Sequence, residues 1–387
     1  MSRIAEALTP AVESGSLPGV VALAQHRDGS VEEAVLGSRA VDGPPMTRDS
    51  IFRIASITKP IVAVATMTLV EEGVLDLDAP VARWLPELET LQVLRAPDAE
   101  LDDTVPAVRP VTTRHLLTFT AGWGFPSDFS LPVVKRLGEQ LAQGAPTPHA
   151  FAAPDEWIRR LADTPLLHQP GEGWLYNTGS DVLGVLLARA SGRSLPDLLA
   201  ERVFTRIGMP DTAFHVPEDK LGRLVTWYFR EPSKGSLVPL DAPPGNWATP
   251  PAFPAGASGL VSTADDWLAF GRMLLAQGEA PGGRVLRPES VRELMTDHVA
   301  AELRAPAQVF LGSRGWGYGG TVDLVADRPG RVPGRYGWVG GTGTSGFVSP
   351  ATGEIQVFMS QVQLAGPSDE SAMGDFWAAC AETPATP

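Results

Sequence analysis

The chain is short of several things. Among its 387 residues are one cysteine, Cys380, four lysines and four tyrosines. A single cysteine excludes an intramolecular disulfide framework. Basic residues number 31 against 45 acidic ones, a formal net charge of −14, and no Lys/Arg-rich run stands out. An acidic chain without a basic stripe excludes a nucleic-acid groove or an anionic membrane surface as the expected partner. Long apolar runs are missing too. The longest, Ile61 to Val70, contains Thr66 and Thr68 and falls well short of the roughly 20 residues a transmembrane helix needs, so it reads as a buried helix. The N-terminus, Met-Ser-Arg-Ile-Ala-Glu-Ala-Leu, mixes charge into its apolar positions and lacks the apolar region of a signal peptide. The expectation is a soluble cytoplasmic protein.

Several chemistries are excluded in the same way. No Gly-x-Ser-x-Gly elbow occurs, which argues against an α/β-hydrolase. His26, His115, His149, His168, His215 and His298 show no metal-ligand spacing, and no Gly-x-Gly-x-x-Gly opens a helix after a strand. Neither a metal nor a cofactor is expected. His115, in an apolar stretch, reads as structural.

What is present is a chain able to fold around a large core: 43% of residues are hydrophobic, and the length suits two or three domains or one two-part domain. Residues 3–13 read as an amphipathic helix, and 19–26 and 31–37 as two strands around an Arg-Asp-Gly turn. Residues 57–72 read as a helix apolar on nearly every face and stopped by Gly73. Residues 86–112, acidic and Pro-containing, read as a surface excursion. From 154 to 209 the periodicity is helical, with helices over 181–190 and 196–206. Residues 230–256 hold seven prolines and read as a long functional loop. Ser262-Thr263 caps a helix to about residue 277, with Asp265 and Asp266 as dipole-satisfying acids in its first turn. Residues 288–297 form another helix, strands fill 316–362 with a hairpin at Thr352-Gly353, and a last helix ends near residue 379. Strands at both ends around a helical middle predict a mixed α/β fold. One α/β domain is built from residues 1–80 and 257–387, and a mainly helical domain is inserted as residues 81–256.

Three segments carry chemistry. In Ile54-Ala55-Ser56-Ile57-Thr58-Lys59-Pro60, Ser56 and Lys59 share one face of a predicted helix start. A serine hydroxyl becomes a useful nucleophile when a base takes its proton, and burial lets a lysine serve as that base. The helix N-terminus supplies N–H groups and a positive dipole end for an oxyanion. With four lysines and 23 serines, chance yields about a quarter of a Ser-x-x-Lys match. In the second segment, Pro170 to Gly184, Tyr176 sits on a Gly-flanked loop before a helix. A phenol beside an ammonium has a lowered pKa and serves as base or proton shuttle. The third, Gly337-Trp338-Val339-Gly340-Gly341-Thr342-Gly343-Thr344-Ser345-Gly346, has the glycines that a cleft-lining edge strand requires.

Together these segments resemble the serine β-lactamase and penicillin-binding-protein superfamily, in its class C β-lactamase-like branch and especially the family VIII carboxylesterases. The likeness runs along nearly the whole chain. Arg114 to Gly122 is similar to the family's HLLTHTSG stretch, and Gly259 to Asp266 to its GGLVSTARD helix start. The resemblance implies a β-lactamase-like fold: an antiparallel sheet flanked by helices, with an inserted helical domain. It implies Ser56 as nucleophile, Lys59 as base or proton relay, and Tyr176 as catalytic tyrosine. The Ser56 and Gly341 amides become the oxyanion hole. Which of Lys59 and Tyr176 takes the serine proton stays open.

Two departures bear on the substrate. The family's Tyr-x-Asn is absent: Thr178 stands two after Tyr176, with Asn177 adjacent, so the substrate-holding amide is displaced or missing. Its Lys-Thr-Gly is replaced by Trp338-Val339-Gly340, so an indole stands where a lysine faces a β-lactam carboxylate, with Arg331 and Arg335 as the cations still in reach. Trp338, Gly340, Asn177, Trp123, Phe125 and the 230–256 loop are the expected substrate pocket. The implied activity is a serine hydrolase working through an acyl-enzyme, a carboxylesterase on small neutral or partly apolar esters. An amidase, D-aminopeptidase, β-lactamase or acyltransferase on the same site is the alternative. An inactive binding protein is disfavoured by the intact Ser56, Lys59 and Tyr176.

Overall fold

A computed structural model describes residues 2–144 and 150–381. Its frame is a seven-stranded antiparallel sheet. The spatial order is Val31–Gly37, Gly19–Gln25, Glu354–Ser360, Thr344–Ser349, Tyr336–Gly340, Thr321–Val322 and Gly315–Trp316. The N-terminal hairpin thus pairs directly with the C-terminal strands, Val20 opposite Ser360 and Gln25 opposite Ile355. Gly19–Gln25 is buried along its whole length. Alternate side chains of a strand point to opposite faces, and here each face has its own core. Val21 and Leu23 join the large core shared with helices Thr58–Glu71 and Ala264–Leu275. Val20, Ala22 and Ala24 pack instead under the terminal helices Arg3–Glu13 and Ser371–Ala381. The mixed α/β architecture expected from the sequence is therefore present.

Helix Thr58–Glu71 buries its residues from Thr58 to Leu69 without interruption, because it is apolar on all sides and is covered on all sides. A 3₁₀ turn, Ala55–Ile57, precedes it, so Ser56 sits on the turn and not within the helix. Ala55 has φ +43°, a left-handed conformation that a non-glycine residue adopts at a cost. Helices Thr113–Leu117, Pro132–Leu141, Pro154–Ala162 and Thr178–Ser191 build the neighbouring helical region.

Three segments differ from expectation. Residues 86–112 are anchored: Gln92–Leu94 pairs with Thr104–Pro106, and Leu88, Leu91, Val93 and Val111 are buried. The 230–256 segment contains a strand, Leu237–Asp241, paired with Trp227–Arg230, and it buries Trp247 and Phe253. Pro239 is tolerated because this is a two-stranded ribbon with an open edge. The helix expected over 196–206 is present and continuous from Leu195 to Ile207, but it carries a π turn at Ala200–Phe204 between Leu195–Leu199 and Thr205–Ile207.

Candidate active site

Ser56 Oγ accepts two hydrogen bonds, from Lys59 Nζ at 2.9 Å and from Tyr176 Oη at 2.9 Å. The three side chains come from separate places: the 3₁₀ turn, the first turn of the buried helix, and the residue two before helix Thr178–Ser191. Lys59 is fully buried. Its Nζ also reaches Asn177 Oδ1 and the Ala257 carbonyl, each at 2.8 Å. Burial pulls its pKa down to about 7, against the opposing charge of Asp181. Tyr176 is pinned by two backbone hydrogen bonds with Phe125, each 2.9 Å. That pairing needs Gly124, at φ +140°, because a Cβ there would meet the Tyr176 carbonyl at 2.5 Å.

The phenol does not behave as its neighbouring lysine suggested. Burial raises the Tyr176 pKa to about 12, and the hydrogen bonds with Ser56 and Trp338 only partly offset it. The lysine offers little counter-charge because burial disfavours its ammonium form as well.

The amide expected to be displaced or lost is brought back to the site. Asn177 has φ +86°, which turns its side chain onto Lys59. Its Nδ2 donates to Gln143 Oε1 at 2.8 Å. Gln143 also accepts from Thr178 Oγ1 at 3.0 Å and donates to Asp181 Oδ2 at 2.7 Å. Asp181 in turn accepts from the Ala257 amide at 2.9 Å, and burial raises its pKa. Gln143 and Asp181 were missed by sequence reasoning. Asp181 had a faint signal, an acid in the first turn of an otherwise apolar helix. Gln143 had none.

A model of the Beta-lactamase family matches residues 4–374 of the sequence. The chain belongs to the Beta-lactamase family. That fold serves serine hydrolases, esterases and acyltransferases. The chain is 38% identical to Protein Rv1367c of Mycobacterium tuberculosis over 90% of its own length and 87% of that protein's. It is 33% identical to Esterase EstB of Burkholderia gladioli, over 95% and 92%. Its fold matches that of EstCE1, a hydrolase with promiscuous acyltransferase activity, at a TM-score of 0.81 and 24% identity over 98% and 97% of the two chains.

In this Beta-lactamase family member, Ser56 and Tyr176 open onto a cavity of about 430 Å³. Its walls are mostly apolar, with Phe125, Phe129, Phe151, Phe310, Leu364 and Pro367 among them. Asn177 and Trp338, two of the expected pocket residues, also line it, as does Gly341, expected as an oxyanion-hole amide. Trp338 donates its indole N–H to Tyr176 Oη at 2.7 Å. Phe310, Phe129 and Phe151 were not anticipated; Phe310 stacks on Tyr176 with centroids 4.6 Å apart.

Other expected pocket residues are elsewhere. Trp123 does not line the cavity: it is 2% exposed and its indole is tied to the Thr164 carbonyl at 2.9 Å. Gly340 is not a wall residue either. It is where the strand passes the Ser56 turn, since a Cβ there would strike the Ile54 carbonyl at 2.4 Å. The 230–256 segment backs the pocket only from behind, through Phe253 stacked on Phe151 at 5.1 Å. Arg331 and Arg335 are held by Asp327, Glu370 and Asp323, away from the cavity lining.

His115 is structural as expected: its side chain accepts from the Thr112 amide at 3.3 Å in a reciprocal helix cap. Asp265 and Asp266 open their helix as expected, with Thr263 as the cap. Among the described residues no group of His, Cys, Asp and Glu could hold a metal ion, and His149 lies outside them. Among those residues no helix is long and apolar enough to cross a membrane.

Proposed function

We propose that this protein is a carboxylesterase of the family VIII type, acting on small neutral or partly apolar esters through an acyl-enzyme on Ser56. The observation carrying this reading is the double hydrogen bond on Ser56 Oγ from a buried lysine and a half-buried tyrosine at the floor of an apolar cavity. Neutral Lys59 takes the Ser56 proton as Oγ attacks the ester carbonyl. The Ser56 and Gly341 amides receive the oxyanion. Tyr176 gives its proton to the departing alcohol oxygen, and Lys59, now an ammonium, restores it. Water then attacks the acyl-enzyme and releases the acid. Once Lys59 is neutral, its two N–H groups go to Asn177 Oδ1 and the Ala257 carbonyl, which leaves the lone pair to accept the proton of Ser56.

The preference for esters over β-lactams rests on Trp338. Its indole N–H is engaged with Tyr176, and among the described residues no lysine or arginine lines the cavity to pair with an anionic substrate. Relative initial rates on a short-chain p-nitrophenyl ester and a chromogenic cephalosporin test this. The ester should be turned over faster by at least about 10²-fold; faster cephalosporin turnover would contradict the reading. Transfer of the acyl group to an alcohol in place of water is a second outcome supported by the same mostly apolar lining. It would appear as transesterification product when an alcohol is added.

A further inference from the structure

Behind the cleft, one buried cation lacks a carboxylate. Arg314 is 8% exposed. Its Nε donates to the Leu311 carbonyl at 3.1 Å and its Nη2 to the Phe310 carbonyl at 2.9 Å. The neighbouring acids are already paired: Asp323 with Arg335, Asp327 with Arg331, and Glu370 with Arg331 and Arg328. Among the described residues Arg314 has no ion-pair partner. Burial, reinforced by the charge of Arg331, lowers its pKa to about 10, with Asp323 and Glu370 opposing and Arg335 adding slightly. The guanidinium is therefore still protonated at neutral pH.

This charge faces an aromatic ring. Arg314 Cζ lies 5.3 Å from the centroid of Trp338. The indole N–H of Trp338 donates to Tyr176 Oη at 2.7 Å, and Tyr176 Oη donates to Ser56 Oγ at 2.9 Å. A cation over an indole face draws on its π density and makes the N–H a stronger donor, the more so in a dry site. A stronger donor to the phenol oxygen favours the phenolate. Among the described residues the other charge at the phenol is Lys59, whose Nζ is 4.7 Å from the ring centroid and is itself influenced by Asp181. Phe119, Trp174, Phe310 and Trp316 are further aromatic neighbours of the ring.

We propose that Arg314 is a positioning residue that acts through Trp338 to help Tyr176 release its proton, and so fits the site to esters of weakly acidic alcohols. The inference rests on the esterase reading. In acylation the Ser56 Oγ–carbonyl carbon bond forms and the Ser56 proton passes to Lys59. The carbonyl carbon–alcohol oxygen bond breaks, and that oxygen takes the Tyr176 proton. An alkoxide needs this proton; p-nitrophenolate leaves without it.

The test compares ethyl butyrate with p-nitrophenyl butyrate, which form the same acyl-enzyme. In Arg314→Gln, kcat/KM for the ethyl ester should fall at least about 10-fold, within the 10²–10⁴-fold that general acid catalysis contributes, and that for the p-nitrophenyl ester less than about threefold. Arg314→Lys should recover most of the loss. In a Trp338→Phe background, Arg314→Gln should leave the ratio of the two rates unchanged. Equal falls on both esters, or none, overturn the proposal. The indole proton resonance of Trp338 gives a readout that needs no turnover. It should move upfield in Arg314→Gln and return in Arg314→Lys; an unmoved resonance also overturns the link. If the wild type hydrolyses neither ester, the esterase reading fails by itself, while this resonance still decides the role of Arg314.

Discussion

A lysine that must accept a proton from Ser56 has to be neutral for part of the time. Lys59 meets that need by burial, which brings its pKa down to about 7. The sign of the pH dependence follows. Below about pH 7 Lys59 is an ammonium and cannot take the proton, so kcat/KM should rise with pH and level off above it. Asp181 opposes the shift, so Asp181→Asn should move the acid limb to lower pH by about one unit; a limb that stays or moves up would contradict Lys59 as base. Gln143 matters for a different reason. It bonds Asn177, Thr178 and Asp181 in a buried place. Gln143→Leu would leave three polar groups without their partner. We expect a loss of about 2–4 kcal/mol of stability in chemical denaturation.

At the scale of elements, helix Ala264–Leu275 shows how a local cap becomes a pH-dependent contact. Thr263 caps it, and Asp266 in its first turn accepts from the Asp211 amide at 2.8 Å and from Thr212 Oγ1 at 2.7 Å. Burial raises the Asp266 pKa to about 6 from 3.8. The folded chain therefore holds this proton more tightly than the unfolded one. Folding takes up a proton between about pH 4 and 6, and stability falls as the pH rises through that window. The difference is worth about 3 kcal/mol. Urea denaturation across this range should show the decline in the wild type and a flatter profile in Asp266→Asn. Much of this level was legible in the sequence. Helix Thr58–Glu71 announced itself by apolar residues on all faces, and the Thr352-Gly353 hairpin by its turn. Pairings between distant segments were not legible. Leu237–Asp241 was hidden by its prolines, because a two-stranded ribbon tolerates what a central strand does not. Gln143 was hidden because its partners lie on Asn177, Thr178 and Asp181, and nothing near it in sequence implies them. Ser56, Lys59 and Tyr176 were visible because lysine and tyrosine are so scarce in this chain.

Across the whole molecule, the strand leading to Ser56 is tied to the Pro-rich segment by a buried ion pair. Arg53 bonds Asp241 and the Val225 carbonyl, and its guanidinium lies 4.9 Å from the Trp247 ring centroid. Asp241 also accepts from the Asn246 amide at 2.8 Å. Breaking one half of such a pair leaves a buried charge alone, so Asp241→Ala should cost about 3–5 kcal/mol. The double replacement Arg53→Met with Asp241→Leu should recover most of it, read as thermal midpoints and residual activity. The pair holds the 230–256 segment against the sheet region, from where Phe253 supports Phe151 at the cavity wall. The proposed chemistry turns on one covalent event, acylation of Ser56. Intact-protein mass spectrometry after a brief pulse of a short-chain p-nitrophenyl ester measures it directly. Wild type should gain the mass of one acyl group and lose it again as water deacylates Ser56, while Ser56→Ala gains none. No adduct on the folded wild type, or an equal adduct on Ser56→Ala, would contradict the acyl-enzyme.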